Sequence, residues 1–267
     1  MEIAGQKEHK IISLFQTLEQ LAPIKIEYGG KYAYTGISSN DLKVEEKVST
    51  LKATLEDLSS KTQNLKIGLV IASGGILSLG KEFPQIDLWI VLDKTPSLIS
   101  NMKRYSIAVS SAANPQEILD LATEFGGTQQ NMLTDEGESY GQYHYLKDQE
   151  SLKRTQEFLR KKKVVFMNAD LLDAEFMAKV GKILKDQDAE IAFANFTNVM
   201  EWLPGYDEHT SAKRLSTSLE AVPFSEKCAI LFSVSQGGFG LRGKVGRSPL
   251  NTRTAVGFLD YLEKSNQ

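Results

Sequence analysis

Short apolar runs, each bounded by glycine, asparagine or aspartate, alternate with segments of helical periodicity along most of the chain. The apolar runs predict strands over 66–72, 86–92, 164–167, 190–196 and 228–234. The segments between and around them predict helices over 75–82, 96–104, 115–125, 149–162, 173–185 and 208–220. This strand–helix alternation predicts an α/β protein with a doubly wound, mainly parallel sheet and helices on both faces.

The first 60 residues have a different pattern from the rest. Apolar positions at helical spacing predict a helix over 8–22, which Pro23 ends, and a second helix over roughly 41–60. We therefore predict an N-terminal helical cap at 1–60 ahead of a domain at 61–267. By analogy with other α/β proteins, such a cap covers a ligand cleft.

Three further segments are predicted as loops or have no single predicted secondary structure. Residues 128–147 are polar and tyrosine-bearing and predict a loop, and the glycine-rich, basic residues 237–251 predict a loop or hairpin. Residues 252–264 fit a strand or a helix equally well. We expect the cap, loop 128–147 and the tail 237–251 to shape a ligand pocket.

Composition excludes several classes of function. The chain has 267 residues, of which 41% are hydrophobic and 24% charged, and a formal net charge of −3. This balance is typical of a globular protein and predicts no nucleic-acid partner and no attraction to an anionic membrane. The basic run at 160–163 ends a predicted helix, where cations complement the carbonyl end of the helix dipole.

The N-terminus and the rare residue types add further limits. The first nine residues are mainly polar and lack a secretory signal pattern, and no apolar run approaches the roughly 20 residues of a membrane helix. We therefore expect a cytoplasmic protein with no membrane span. Export without a signal stays open. Cys228 is the sole cysteine and lies in an apolar strand, which favours a core role. The three histidines have no metal-ligand spacing, so no metal site is predicted.

Polar or glycine residues follow four successive predicted strands. Ligands of an open parallel sheet bind beyond the carboxyl ends of its strands, so these residues are expected to lie together. The glycine turn after the first strand lets a ligand approach the backbone, and the acid after the second can accept hydrogen bonds from ribose hydroxyls. The arrangement is Rossmann-like and predicts an adenosine-containing ligand. The residues concerned are Ser73, Gly74, Gly75, Asp93, Asn168, Asp170, Asn195, Thr197 and Asn198.

Each of these residues also has a purely structural interpretation. The glycine pair can serve only as a tight turn, Asp93 can cap the following helix, and Asp170 or Asp173 can cap helix 173–185. Asn195 and Asn198 can satisfy loop backbone through Asx turns. The P-loop motif G-x-x-x-x-G-K-[ST] is missing from the sequence. G-x-G-x-x-G occurs at Gly238–Gly243, but in a predicted loop or hairpin that opens no helix, and G-x-S-x-G occurs at Gly137–Gly141, but inside the polar loop 128–147 rather than after a strand. These contexts disfavour a dinucleotide fingerprint and an α/β-hydrolase as well as a P-loop.

The order of glycine turn, acid after the second strand and Asn168-Ala169-Asp170-Leu171 after the third resembles class I S-adenosylmethionine-dependent methyltransferases. The segments Gln142–Leu146 and Thr197–Leu203 are similar to those of a poorly characterised bacterial, methyltransferase-like family. In that family a glycine stands at the position of Ala169. The resemblance covers roughly residues 64–235 and implies S-adenosylmethionine as the cofactor.

The resemblance also implies roles for single residues. Ser73, Gly74 and Gly75 would lie near the methionine part of the cofactor, and Asp93 would hold the ribose. Asp170 and Leu171 would flank the adenine, and Asn195, Thr197 and Asn198 would border the reacting methyl group. The chain departs from the family at two positions, because Ala72 replaces the usual first-strand acid and Ile76 replaces the second glycine of the turn.

Three functions stay open. The leading one is methyl transfer to a small molecule or a protein, for which the weak candidates for a base are Glu201, His144, Tyr143 and Tyr206. The second, motivated by Ala72, is a methyltransferase-like fold that serves as a non-catalytic binding module. The third is transfer of a 3-amino-3-carboxypropyl group from the same cofactor. The sequence predicts neither the acceptor nor the oligomeric state.

Overall fold

The computed structural model of the chain describes residues 2–22, 44–59, 63–71, 75–122, 137–196, 208–233 and 250–254, with the single positions Val199 and Phe258. Its centre is a six-stranded sheet of order β3-β2-β1-β4-β5-β6, in which β1 to β5 are parallel and β6 is antiparallel to β5. The strands are β1 Leu65–Ile71, β2 Leu88–Asp93, β3 Lys163–Asn168, β4 Ala189–Phe196, β5 Phe224–Ser233 and β6 Leu250–Thr254. The predicted α/β, doubly wound and Rossmann-like fold is confirmed.

Helices connect the strands and cover the sheet. They are α1 Glu2–Leu21, α2 Val44–Ser59, α3 Gly75–Leu79, α4 Pro96–Ser111, α5 Pro115–Ala122, α6 Gly137–Tyr140, α7 Gln149–Lys161, α8 Ala174–Asp186 and α9 Glu208–Glu220, with 3-10 turns at Gly80–Glu82 and Gly141–Tyr143. Among the described helices, none is long and apolar enough to cross a bilayer.

Period-two alternation along the strands divides the core into two layers, one on each face of the sheet. In β2, Trp89 and Val91 belong to the first layer, whereas Leu88 and Ile90 belong to the second. Because both faces are covered by helices, every residue of β2 before Asp93 is buried. Strand β2 is therefore a continuous apolar run, and the polar Asp93 marks where it ends.

The two N-terminal helices contribute to both layers. Leu14 and Leu18 of α1 lie in the second layer, and Val48 and Leu51 of α2 lie in the first. The helices predicted at 8–22 and 41–60 are thus confirmed as helices, and their apolar stripes pack on opposite faces of the sheet. The boundary between residues 60 and 61 and a covering role over a cleft stay predictions.

Two sequence-based predictions need correction. Residues 137–143 of the predicted loop 128–147 form α6 and a 3-10 turn, because Tyr140 and Tyr145 are fully buried and hold this segment against the core. Helix α4 extends to Ser111 rather than 104, since buried Tyr105 and Val109 continue its apolar stripe. Of the two structures predicted for 252–264, residues 252–254 belong to strand β6.

Candidate functional site

The order of strands in the sheet reverses between β1 and β4. In doubly wound sheets a crevice opens at this reversal, outside the carboxyl ends of the two strands. Strand β1 ends at Ile71 and pairs with Leu92 of β2, so Asp93 follows directly beside the end of β1. The carboxyl edge of β1, β2 and β4 is therefore the candidate site.

Asp93 is held at this edge by hydrogen bonds on both its backbone and its side chain. Its carboxylate Oδ1 accepts a 2.7 Å hydrogen bond from the backbone N–H of Thr95. Its carbonyl accepts hydrogen bonds of 2.9 Å from the Asn168 side-chain amide and from the backbone N–H of Ala169. The carboxylate bonds two residues ahead as an Asx turn, whereas Thr95 occupies the cap position of α4 and makes no side-chain cap bond. The geometry therefore favours an Asx turn, rather than a helix cap, as the structural role of Asp93.

Burial raises the pKa of the half-buried Asp93 carboxyl above its usual value, and the negative charge of Asp170 acts in the same direction. Hydrogen bonds from Thr95 and the charge of Lys94 oppose the increase in pKa. A carboxylate that has lost part of its water gains from a ligand that donates hydrogen bonds to it. Asp93 therefore suits a neutral donor such as a pair of hydroxyl groups.

The loop after β3 brings a second carboxylate to the same edge. Asp170 accepts a 2.9 Å hydrogen bond at Oδ1 from the backbone N–H of Leu172, while Asp173 caps α8 by accepting from the backbone N–H of Phe176 at 3.0 Å. Of the two predicted caps, Asp173 is the one that caps the helix. Leu171 is only 5% exposed and its side chain belongs to the second core layer.

Two candidates from the strand ends lie in the interior. Asn195 is 2% exposed and stands in register with Val70 of β1 and Leu231 of β5. Gly75 is the first residue of α3 and is buried. Ile76, at the position where the resembled family has glycine, packs in the first core layer at 2% exposure. Its side chain is thus turned into the protein.

Several candidates fall outside the described residues. These are Ala72, Ser73, Gly74, Thr197, Asn198, Glu201 and Tyr206. Their roles stay predictions, as do the cofactor-binding roles of Gly75, Asp93, Asp170, Leu171 and Asn195. Within the described part of the chain, no group of three or more His, Cys, Asp or Glu side chains could hold a metal ion.

The two remaining candidates, Tyr143 and His144, lie in a buried polar cluster formed with the turn Gly80–Glu82. The carbonyl of Tyr143 accepts a 2.6 Å hydrogen bond from Lys81 Nζ, and the ammonium of Lys52 lies 4.9 Å from the Tyr143 ring centroid. His144 is 2% exposed, and its Nε2 has no hydrogen-bond partner among the described residues. Burial and then the charge of Lys81 lower the pKa of His144 to about 4.

Glu82 is the anion of this cluster. Its buried carboxylate accepts a 2.9 Å hydrogen bond from Arg154 and another from Lys52, and it lies 4.0 Å from Lys81 Nζ. Burial lowers the pKa of Lys81 to about 7, although the charge of Glu82 opposes this shift. Sequence reasoning missed the cluster because its members come from four separate segments, namely α2, the turn Gly80–Glu82, residues 143–144 and α7. The only signal was a Lys-Glu pair ahead of the apolar Phe83.

A comparison with solved structures gives a distant likeness. The chain is similar in structure to the rRNA methyltransferase aviRa from Streptomyces viridochromogenes, with a TM-score of 0.42 and 16% sequence identity over 80% of this chain and 87% of that chain. The sequence matches no protein-family model and no curated protein.

Proposed function

We propose that this protein is an S-adenosylmethionine-dependent methyltransferase that acts on a small-molecule or protein acceptor. The observation that carries the proposal is Asp93, a half-buried carboxylate that ends β2 beside the end of β1, one strand from the reversal of strand order. A carboxylate at this position is where a Rossmann-like sheet holds ribose hydroxyls. The sequence resemblance over roughly residues 64–235 supports the same cofactor.

The residues at the edge fit the nucleoside half of this cofactor in part. Asp93 would accept hydrogen bonds from the ribose, with its backbone fixed by Asn168 and Ala169. Asp170, whose Oδ1 already accepts from Leu172, would border the adenine. The buried Ile76 lies where the family has a glycine, so the approach to the methionine half would rest on the turn 73–75.

Methyl transfer makes few chemical demands on the protein. When bound, S-adenosylmethionine supplies an electrophilic methyl group. The chain would contribute alignment of the acceptor and exclusion of water, which supply most of the rate enhancement. An oxygen or nitrogen acceptor also needs a base within hydrogen-bond reach. Glu201 is the candidate we favour, since the low pKa and burial of His144 suit it poorly to take up a proton at an open edge.

The proposal is tested by ligand-induced thermal stabilisation, because a ligand that binds only the folded state raises its melting temperature. Wild-type protein with millimolar S-adenosylhomocysteine should melt at a higher temperature, and Asp93→Asn should lose most of this increase. Asp186→Asn is the matched control, since Asp186 is an exposed partner of Lys182 on α8. Its ligand-induced shift should equal that of wild type.

One observation favours a second function, a binding module without catalysis. Ile76 fills the core at the place of a motif glycine, and Ala72 replaces the usual acid. A folded protein whose melting temperature S-adenosylhomocysteine leaves unchanged would match this alternative. The mass of a modified acceptor would separate methylation from transfer of a 3-amino-3-carboxypropyl group.

A further inference from the structure

A groove of about 280 Å³ runs along the side of the sheet at β3, remote from the carboxyl edge. Its walls are α1 and α4, its floor is the first part of β3, and the end of α7 closes one side. The residues on which the argument rests are Phe15, Glu19, Lys103, Ile107, Arg160 and Lys163. Lys163 begins β3, whereas Asn168, beside the candidate site, ends it.

The floor of the groove is a sheet edge. Within the described part of the chain β3 pairs with β2 alone, so it is the last strand of the sheet on this side. An edge strand presents unpaired backbone N–H and C=O groups that can pair with another extended chain. Val164 and Phe166 of β3 line the groove and bring this edge to it.

The groove carries an excess of positive charge in a chain whose net charge is −3. Lys103, Arg160 and Lys163 stand on three different elements around it, and Glu19 is the single carboxylate among the lining residues. Glu19 lies 3.5 Å from Lys103 across the groove, between α1 and α4. Lys162 also lines the groove, but its Nζ donates a 2.8 Å hydrogen bond to the carbonyl of Pro84. A complementary partner would therefore be acidic.

Apolar side chains stand beside these cations. Ile107 of α4 is 60% exposed, the higher of the two exposed large hydrophobic residues in the described part of the chain. The ring of Phe15 on α1 lies 5.8 Å from Lys163 Nζ and lines the opposite wall. Apolar side chains on both walls of a sheet edge suit a strand, whose alternate side chains point to opposite faces.

We propose that this groove binds an extended acidic segment of a partner protein, which pairs with β3 as an additional strand. Backbone pairing would supply affinity, and the apolar walls and the cations would supply specificity. Single-stranded nucleic acid fits less well, because it stacks its bases on exposed aromatic rings. Of the two rings that line the groove, Phe166 is only 8% exposed and Phe15 lies under Lys163. The inference does not depend on the proposed methyltransferase function.

The test uses full-length protein and a fluorescent synthetic peptide of alternating Glu and Val residues, followed by fluorescence anisotropy. We expect saturable binding with a Kd below about 1 mM that weakens with added salt. The same peptide with alternate backbone nitrogens methylated should bind about tenfold more weakly, because it lacks the donors for β3. A matched oligo(dT) should bind more weakly than the peptide.

Substitutions that change the charge of the groove in opposite directions make the test specific. Arg160→Glu should weaken peptide binding about tenfold, and Glu19→Gln should strengthen it about threefold by removing the one carboxylate. Ile107→Asp, at an exposed position that the fold does not need, should also weaken it. Lys182→Glu on the remote face of α8 is the matched charge reversal and should leave the Kd unchanged. Equal binding of the methylated peptide, tighter binding of oligo(dT), no saturable binding, or equal effects of Arg160→Glu and Lys182→Glu would each overturn the proposal.

Discussion

The side-chain amide of Asn168 donates a 2.9 Å hydrogen bond to the backbone carbonyl of Asp93. The two residues are partners in register at the last position of β2 and β3. This bond joins the ends of neighbouring strands and fixes the backbone from which the Asp93 carboxylate extends. It makes Asn168 a positioning residue for the candidate site.

Asn168→Ala should therefore affect both stability and ligand binding. Loss of one partly buried hydrogen bond should lower the free energy of unfolding by about 1 kcal/mol, measured by urea denaturation. It should also weaken S-adenosylhomocysteine binding, since Asp93 loses one of its constraints. Asn64→Ala is the matched control, because Asn64 donates a 3.0 Å hydrogen bond to Glu190 at the opposite end of the sheet. A similar effect of both substitutions on binding would contradict the positioning role.

Ligand affinity should depend on the ionisation of Asp93. Burial, and then the charge of Asp170, raise the pKa of Asp93 above its usual value. The ionised carboxylate accepts hydrogen bonds from ribose better than the neutral acid. Affinity for S-adenosylhomocysteine should thus fall as the pH is lowered through this raised pKa, and this decrease should be absent from the residual binding of Asp93→Asn. A wild-type affinity that stays constant through acidic pH would argue against contact between Asp93 and the ligand.

His144 should prove structural rather than catalytic. It is 2% exposed, packs against Tyr145 with ring centroids 5.0 Å apart and ring planes tilted by 60°, and has a pKa lowered to about 4 by burial and by Lys81. The unfolded state binds a proton that the folded state does not between about pH 4 and 6.5, so stability rises with pH in this window. His144→Phe should flatten that rise and keep ligand binding. Loss of ligand binding in a folded His144→Phe protein would indicate that His144 belongs to the ligand-binding site.

Lys81 should make stability depend on pH in a second, more alkaline range. Its pKa falls from 10.5 in the unfolded chain to about 7 in the folded protein, chiefly through burial. Between these values the unfolded state holds more protons, so the free energy of unfolding should rise with pH. Lys81→Met should reduce this slope, even if the substitution also changes the free energy of unfolding by the same amount at every pH. Urea denaturation at a series of pH values measures the slope, and identical slopes in both proteins would show that the Lys81 amine stays ionised.

Gly141 should be intolerant of a side chain. Its φ is +51°, and a Cβ there would lie 1.9 Å from Glu45 Oε2 on α2. Gly141→Ala should lower the free energy of unfolding by about 1–2 kcal/mol, because the left-handed backbone is strained and Glu45 must move. Gly5→Ala is the control, since nothing lies within 4 Å of a Cβ at Gly5 in α1 and alanine favours helix. It should stabilise the protein slightly. A stabilising Gly141→Ala would refute this packing of the 3-10 turn on α2.

The sheet could be predicted because its strands are buried on both faces. Ile67, Leu69 and Val70 are all nearly fully buried, so after Lys66 the sequence of β1 is an apolar run that ends where burial ends. For the same reason the position of Asp93 at a strand end was visible in the sequence. Its relation to Asn168 was not, because a parallel register across 75 positions has no local signal.

Segments held by tertiary contacts were harder to predict. Residues 137–143 are polar, and their helical turns depend on distant partners, as when Gln142 donates its backbone N–H to Glu45 at 3.2 Å. The Lys81–Glu82 cluster was likewise hidden, since the negative charge of Glu82 is neutralised by Lys52 and Arg154 from other helices. Such long-range pairing of polar residues leaves no periodic pattern.

Calorimetric titration of the wild-type protein with S-adenosylhomocysteine, with Asp93→Asn and Asp186→Asn in parallel, tests the central claim most directly. We predict saturable one-to-one binding to wild type and to Asp186→Asn, and an affinity at least about tenfold lower for Asp93→Asn. No heat of binding to a folded wild-type protein at millimolar ligand, or equal affinity in all three proteins, would contradict the assignment of the carboxyl edge as the cofactor site.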